Sequence, residues 1–330
     1  MSNTNLARPE PVLAVHGGAG TILRSTMTAN MERAYRDGLA AALRAGGAVL
    51  TSGGTAIEAV VAAVASLEDC PLFNAGRGAV FTSDGRIEHD ASIMDGATRS
   101  AGAVAGVTRL RNPIQAARAV MIGTRHVMLI GQGAETFAEA AGLEMVDPSY
   151  FHTPERWAQL ERARAEGRLE LDHDGTSRAA NRNADDKFGT VGAVARDRFG
   201  NLAAATSTGG LTNKQWGRVG DTPIIGAGTW AENATAAVSG TGLGEAFMRA
   251  CAAHEVAALM KYKGLSLDAA VAEVATVTVP ANGGTGGLIA VDATGSVAMH
   301  FSTAGMYCGV VRGGGEPEVQ IYESDEASAS

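Results

Sequence analysis

A threonine directly behind a glycine, at the head of an apolar run, is the most reactive arrangement in this chain: Gly189-Thr190-Val191-Gly192-Ala193-Val194-Ala195. The stretch before it, 172–187, is polar and charged and reads as an exposed linker, whereas Val191 to Arg196 reads as a buried strand. Glycine then threonine at a strand start is, by itself, ordinary turn and strand chemistry. A cut between Gly189 and Thr190 would change its meaning. An N-terminal threonine carries a nucleophilic hydroxyl and its own base, an α-amine whose unperturbed pKa of about 7.7–8.0 lets it take a proton near neutrality.

The residues that follow supply candidates for the rest of a site. Gly200-Asn201 suits a tight hairpin turn, and closing it returns Thr206, Ser207 and Thr208 past the Thr190 hydroxyl. Asn213, Lys214, Arg218 and Asp221 then lie in a glycine-bearing loop. Arg218 and Asp221 are either a surface ion pair worth little or a recognition pair, in which arginine forks a carboxylate and aspartate holds an ammonium. Ser239-Gly240-Thr241-Gly242-Leu243-Gly244-Glu245 opens an apolar helix expected to run to about Met260. Small residues with free N–H groups at a helix start form an anion or oxyanion site.

The elements that must position these groups are legible from hydrophobic spacing. Helical spacing covers Met31 to Leu43, Thr55 to Leu67, Pro113 to Met121, Glu135 to Ala141, Glu155 to Arg164 and Leu267 to Val274. Strands are expected at Pro11 to Val15, Ala79 to Thr82, Ala101 to Val107, His126 to Ile130 and Thr235 to Ser239, with a final hairpin of Gly287 to Asp292 and Val297 to Ser302. Strands cluster centrally with helices outside them, which predicts an α+β fold of two sheets between helix layers. His16-Gly17-Gly18-Ala19-Gly20 has neither the G-x-G-x-x-G spacing of a dinucleotide loop nor a G-x-S-x-G elbow. Its glycines allow tight backbone near the site, and His16 reads as a hydrogen-bonded core residue.

Composition narrows the function classes. The 330 residues carry 27 basic and 35 acidic side chains, for a net charge of −8, and no basic patch that would suit nucleic acid. Cys70, Cys251 and Cys308 form neither a metal-ligand pair nor a disulfide framework. No apolar signal core precedes Pro11 and no 18-residue apolar run occurs, so a soluble cytoplasmic protein without membrane partners is expected. The acidic end, 316–330, reads as a disordered tail.

Eight stretches, in order along the chain, resemble the plant-type (type III) L-asparaginases, also called isoaspartyl peptidases, of the N-terminal-nucleophile hydrolase family. They are His16-Gly-Gly-Ala-Gly20, Cys70-Pro-Leu-Phe-Asn-Ala-Gly76, Met94-Asp-Gly96, Gly102-Ala-Val-Ala-Gly-Val107, Gly189-Thr-Val-Gly-Ala-Val194, Thr206-Ser-Thr-Gly-Gly210, Gly217-Arg-Val-Gly-Asp221 and Gly283-Gly-Thr-Gly-Gly287. The resemblance implies a four-layer αββα sandwich, with 1–330 as one catalytic domain that cuts itself into 1–189 and 190–330. The joining linker would span 165–189. It implies that Thr190 attacks the side-chain amide of L-asparagine or the isopeptide bond of a β-aspartyl dipeptide and releases aspartate. Thr208, with Thr206 at longer range, would orient the hydroxyl, and Asn74 would approach it. Thr241 and Gly242 would form the oxyanion hole. Arg218, Asp221, Gly242 and Gly244 would hold the α-carboxylate and α-amine of the aspartyl group. A structural sodium ion would sit among the carbonyls of Leu67, Glu68, Cys70, Phe73, Ala75 and Arg77, no cofactor would take part in the chemistry, and two αβ units would pair as α2β2. Gly240 and Leu243 depart from the family pattern, which bears on substrate preference. Two alternatives stand beside this reading: a glycosylasparaginase acting on sugar–Asn amides, and an unprocessed, non-catalytic binding protein.

Overall fold

The computed structural model describes residues 10–166 and 189–323. Most of the expected linker and the last residues, 324–330, lie outside the described residues. The first stretch contributes β1 (Val12–Gly20), α1 (Ala29–Thr51), α2 (Ala56–Asp69), β2 (His89–Asp95), β3 (Ala101–Val107), α3 (Pro113–Gly123), β4 (Met128–Ile130), α4 (Gly131–Ala140) and α5 (Pro154–Ala165). The second contributes β5 (Val191–Arg196), β6 (Leu202–Thr208), β7 (Thr229–Ala231), β8 (Ala236–Gly242), α6 (Gly244–Ala250), α7 (Ala252–Lys263), α8 (Leu267–Glu273), β9 (Gly286–Asp292), β10 (Val297–Phe301), β11 (Gly305–Arg312) and β12 (Glu318–Gln320).

An eight-stranded sheet runs β12-β11-β1-β5-β6-β2-β3-β4, and a four-stranded sheet runs β10-β9-β8-β7. Both stretches of chain thread the large sheet, with β1 hydrogen-bonded between β5 and β11. Its central strands are apolar on both faces, as a sheet covered on both sides must be. Leu13, Val15, Ala193, Ala195, Ala203 and Ala205 point into one core with α1, α2 and α3. The alternate residues Val12, Ala14, Val194, Leu202 and Ala204 point into a second core with Val238, Leu288 to Val291 and α6, α7 and α8. The fold is therefore mixed α+β, and the second core joins the facing sides of the two sheets.

Local signals account for the helix starts. Thr55 and Glu58 close a capping box at the head of α2, and Thr28 and Thr153 cap α1 and α5. The structure departs from the sequence expectations in four places. The single helix expected from Gly244 to Met260 is two helices, broken at Cys251, whose φ is +47°. Ala79 to Thr82 makes only isolated bridges. The strands β2, β7 and β11 are not among the expected ones. Part of the expected tail is ordered, because β12 pairs with β11 and the apolar Ile321 and Tyr322 are buried in the first core. Among the described residues, no helix is long and apolar enough to cross a membrane.

Within the otherwise apolar space between the two sheets lies a polar cluster. His16 on β1 lies 2.9 Å through Nε2 from the Ser239 hydroxyl on β8, and burial lowers the imidazole to about 3, so it is neutral. Gly192 on β5 leaves room for this pair. A Cβ there would sit 2.0 Å from Ser239 Oγ and 2.4 Å from His16 Nε2. Gly192→Ala is therefore expected to destabilise the protein by roughly 3 kcal/mol, through overpacking and a broken buried hydrogen bond. Denaturant unfolding checks this, and a loss below about 1 kcal/mol would contradict the packing described.

Candidate active site

The β5–β6 hairpin sets the position of the candidate nucleophile. Val191 pairs with Ser207, so Thr190, one residue earlier, faces Thr208. Thr190 is buried at 7 % exposure. Its Oγ1 donates to Thr208 Oγ1 at 3.2 Å and lies 3.5 Å from Thr222 Oγ1. Thr208 Oγ1 also accepts from the Gly210 N–H at 3.0 Å, which leaves its second lone pair for the Thr190 hydroxyl. The neighbouring hydroxyls do not join in. Ser207 points to the opposite face and donates to Glu68 Oε1 at 2.6 Å, as the strand period of two requires. Thr206 bonds Ser239 at 2.8 Å and also Thr229; it shows no bond to Thr190. Thr206 takes its place in the hydrogen-bonded network between the sheets.

The cleft beside Thr190 is lined by Gly189, Thr208, Gly210, Leu211, Arg218, Gly220, Asp221, Thr222 and Gly242. Arg218 forks Glu245, with Nε to Oε1 at 3.0 Å and Nη2 to Oε2 at 2.9 Å. Burial would raise the Glu245 carboxyl, but the Arg218 hydrogen bonds and charge outweigh it and hold the group below its usual range. The fork fixes the guanidinium plane and leaves Nη1 for a ligand. Asp221 is 3 % exposed, and its Oδ2 has no hydrogen-bond partner. Burial pushes this carboxyl up to about 7, against the opposing pull of the Arg218 charge. A buried carboxylate oxygen with no partner is expensive to keep and marks a place for an incoming donor. Gly244 clears the space: a Cβ there would lie 2.8 Å from Arg218 Nη2 and 2.9 Å from Asp221 Oδ1.

On the other side stands Thr241, fully buried, with an Oγ1 that has no partner. A Cβ on Gly189 would sit 3.1 Å from that oxygen, so Thr241 faces the Gly189–Thr190 junction. Gly189 itself has a φ of +90°, a conformation that glycine adopts without strain. Gly242 has a φ of +150°, and a Cβ there would meet the Thr285 carbonyl at 2.4 Å; only glycine fits. A free hydroxyl and a glycine N–H at the end of β8 are the donors an oxyanion needs.

Asn74 stands one step back from the nucleophile. Its Nδ2 donates to the Gly210 carbonyl at 2.8 Å, and its Oδ1 accepts from Val80 N at 3.0 Å. It thereby positions a cleft-lining residue and shows no bond to Thr190. Backbone carbonyls crowd the glycines of the surrounding loop. Cβ atoms built on Gly76 and Gly78 would lie 2.3 Å from the Glu68 carbonyl oxygen and 2.1 Å from that of Phe73. The carbonyls of Leu67, Cys70, Phe73 and Ala75 accept backbone N–H groups at 3.2, 3.4, 3.0 and 3.2 Å, each keeping one lone pair. Such a set suits a hard, weakly charged cation. The Glu68 side chain faces away, toward Ser207 and the Ile114 N–H at the head of α3, and burial raises its carboxyl to about 8. The Arg77 guanidinium lies 5.8 Å from the Tyr150 ring centroid. Among the described residues, no three His, Cys, Asp or Glu side chains gather as metal ligands.

Sequence reasoning missed Thr222 and Glu245. Each lies next to a residue already singled out, Asp221 and Gly244, and that adjacency was the one available signal.

The model of a family described as asparaginase matches residues 9–321. The chain is 52 % identical over 311 residues to the isoaspartyl peptidase of Salmonella typhimurium, covering 94 % of this chain and 98 % of that protein. To the isoaspartyl peptidase of Escherichia coli it is 54 % identical over 311 residues, covering 94 % and 96 %. It is 42 % identical over 311 residues to the plant-type L-asparaginase of Pyrobaculum calidifontis, covering 92 % and 97 %.

The unpartnered Asp221 carries a stability consequence with a definite sign. Its folded pKa is raised from 3.8 to about 7. The group favours the folded state while protonated, and that contribution is lost as pH rises from about 4 through 7. At pH 8 the folded protein bears the whole ionisation penalty, so Asp221→Asn is expected to stabilise it by roughly 2–4 kcal/mol. At pH 4 the variant should gain little. Thermal melts at the two pH values check this; a variant less stable than wild type at pH 8 would contradict it.

Proposed function

This chain belongs to the plant-type asparaginase and isoaspartyl peptidase family, and on that footing we propose that it is a self-processing threonine hydrolase. Its substrates would be L-asparagine and β-aspartyl dipeptides, with L-aspartate as product. The observation that carries the reading is one cleft holding the Thr190 hydroxyl, the open edge of Arg218 and the unpartnered carboxylate of Asp221. The αββα sandwich of N-terminal-nucleophile hydrolases is supported by helices on the outer side of each core and two sheets meeting between them.

Processing comes first. The Thr190 hydroxyl adds to the Gly189 carbonyl, the peptide nitrogen leaves, and the chain is carried as an ester on Thr190. Water hydrolyses that ester and frees the α-amine. The glycine φ of +90° and the lack of a Cβ let the scissile carbonyl approach, and Thr241 faces the same junction. Because β1 to β4 share the eight-stranded sheet with β5, β6, β11 and β12, the fragments 1–189 and 190–330 would stay together, and we assign two such units to an α2β2 assembly.

Substrate hydrolysis reuses the parts. The α-carboxylate meets the free edge of Arg218, and the α-ammonium meets Asp221, whose ionised form is then stabilised. The β-carbonyl faces Thr190. The freed amine of Thr190 takes the hydroxyl proton as Oγ1 attacks, and Thr208 holds the hydroxyl in line. Thr241 Oγ1 and the Gly242 N–H receive the developing oxyanion, each such donor being worth about 2.7–4 kcal/mol of barrier. The amine passes its proton to the departing ammonia or peptide amine. Water then cleaves the β-aspartyl ester. A sodium ion among the loop carbonyls from Leu67 to Arg77 would fix the loop that carries Asn74, with no part in the chemistry.

Regiospecificity tests the reading. In α-linked Asp-Leu the α-carboxyl is consumed, so Arg218 faces a neutral amide; N-acetyl-asparagine gives Asp221 no ammonium. A buried charged group left unpaired costs about 1–3 kcal/mol or more. The expected outcome is hydrolysis of β-Asp-Leu and L-asparagine, with kcat/KM for α-Asp-Leu and N-acetyl-asparagine lower by about 100-fold or more. Comparable cleavage of α- and β-Asp-Leu would overturn the charge-pair account.

A further inference from the structure

Trp216 is 96 % exposed, the most exposed large apolar side chain among the described residues. Tryptophan is buried on average in folded proteins; Trp230 is 7 % exposed and Trp157 40 %, and both rings have an aromatic partner. Trp157 stands edge-on to Phe81 at 5.2 Å, and Trp230 to His254 at 4.7 Å. Among the described residues Trp216 has no ring or cation partner, and a Cβ built on its neighbour Gly217 would meet nothing within 4 Å. This tip of the chain stands in open solvent.

The backbone holds it there at a cost. Trp216 and Gly217 have φ of +56° and +70°, and the Arg218 N–H donates to the Gln215 carbonyl at 3.0 Å. Two positive φ values closed by that bond are the signature of a type I′ turn, which favours Asn-Gly. A bulky residue in the left-handed region is an outlier, so the turn alone gives no reason for tryptophan. The turn is also well anchored. Asn213 N donates to the Phe81 carbonyl and Ser83 N to the Lys214 carbonyl, both at 2.8 Å, while Arg218 is forked onto Glu245. The indole is therefore presented from a rigid base.

Its location gives the presentation a purpose. Leu211, Arg218, Gly220 and Asp221, from the same loop, form one wall of the cleft. Trp216 does not line the cleft itself, but it precedes the cleft-lining Arg218 by two peptide units, at most about 7 Å of chain. Given the reading above, on which this step rests, the aspartyl half of a substrate is held at Arg218, Asp221 and Thr190. The residue on the far side of the scissile bond is the part that emerges toward the rim.

We propose that Trp216 is a specificity-determining residue that packs against the leaving residue of β-aspartyl dipeptides, and that the preferred substrates carry a large apolar or aromatic residue there. A flat indole that spans the rim recognises such a side chain by stacking and apolar burial. Ammonia, the leaving group of L-asparagine, gives it nothing to cover, so the effect falls on one substrate class.

The test compares β-Asp-Phe with L-asparagine in wild type, Trp216→Asn and Trp216→Phe. Asparagine suits the I′ position better than tryptophan, so Trp216→Asn should fold at least as well, which a thermal melt verifies. The ratio of kcat/KM for β-Asp-Phe to that for L-asparagine is expected to fall about 5–30-fold in Trp216→Asn, mainly through KM, and to recover most of its value in Trp216→Phe. An unchanged ratio overturns the proposal. So does an equal loss on both substrates, which would make Trp216 a support for Arg218. A smaller assembly of Trp216→Asn in size-exclusion chromatography with the ratio unchanged would place the indole against a second copy of the chain, again overturning it. Wild-type protein inactive on both substrates would remove the underlying functional reading, and the two failures are thereby told apart.

Discussion

The pairing of β5 with β6 is the constraint on which the rest of the site depends. With Val191 opposite Ser207, Thr190 must face Thr208, and their hydroxyls meet at 3.2 Å. A register slip of one residue would turn Thr208 to the opposite face and bring Ser207 to the cleft. The register is held from both sides. Apolar residues alternate into two cores, and β1 and β2 flank the hairpin within the sheet. Beneath it, a line of hydrogen-bonded hydroxyls from Ser239 through Thr206, Thr229 and Ser92 ends at the Thr222 carbonyl. That line ties β8 and the residue next to Asp221 to the strand that carries Thr208. Position at the site is thus decided by sheet geometry, with little left to flexible side chains.

The charges around the cleft show the converse. Arg218 is half satisfied by Glu245, Asp221 keeps an unpartnered oxygen in a buried place, and Thr241 keeps an unpartnered hydroxyl. Each departs from the rule that buried polar groups find partners. The departures gather around one space next to Thr190, and a substrate with a carboxylate, an ammonium and a carbonyl would satisfy all three together. Stability is held below its attainable value there so that binding can supply the missing bonds.

The hairpin was readable because Gly200-Asn201 and the alternating run from Val191 are local signals. The motifs that carry the family resemblance also led directly to Thr190, Thr208, Arg218, Asp221 and Thr241. The central strand β2 escaped because His89, Asp90 and Ser92 look like surface residues. All three are buried: Asp90 Oδ1 accepts from Gly106 N at 2.9 Å, Ser92 bonds the Thr222 carbonyl at 2.6 Å, and the His89 ring lies 4.4 Å from that of Phe151. Cys251 breaks a helix by adopting a left-handed conformation with no glycine to announce it. The acidic, Gly/Pro-bearing end looked unable to form structure, yet Ile321 and Tyr322 supply enough apolar surface to bring it back to the sheet. Glu245 and Thr222 matter through contacts that spacing alone does not report.

The central claim is that Thr190 becomes a nucleophile with its own base once the bond before it is cut. Intact-mass spectrometry of purified, aged protein, with Thr190→Ala prepared in parallel, addresses it most directly. The account predicts two chains from wild type, residues 1–189 and 190–330, whose appearance accompanies the onset of β-Asp-Leu hydrolysis, and a single uncut chain from Thr190→Ala. Full activity in a chain that remains uncut, or cleavage at this bond in Thr190→Ala, would contradict it.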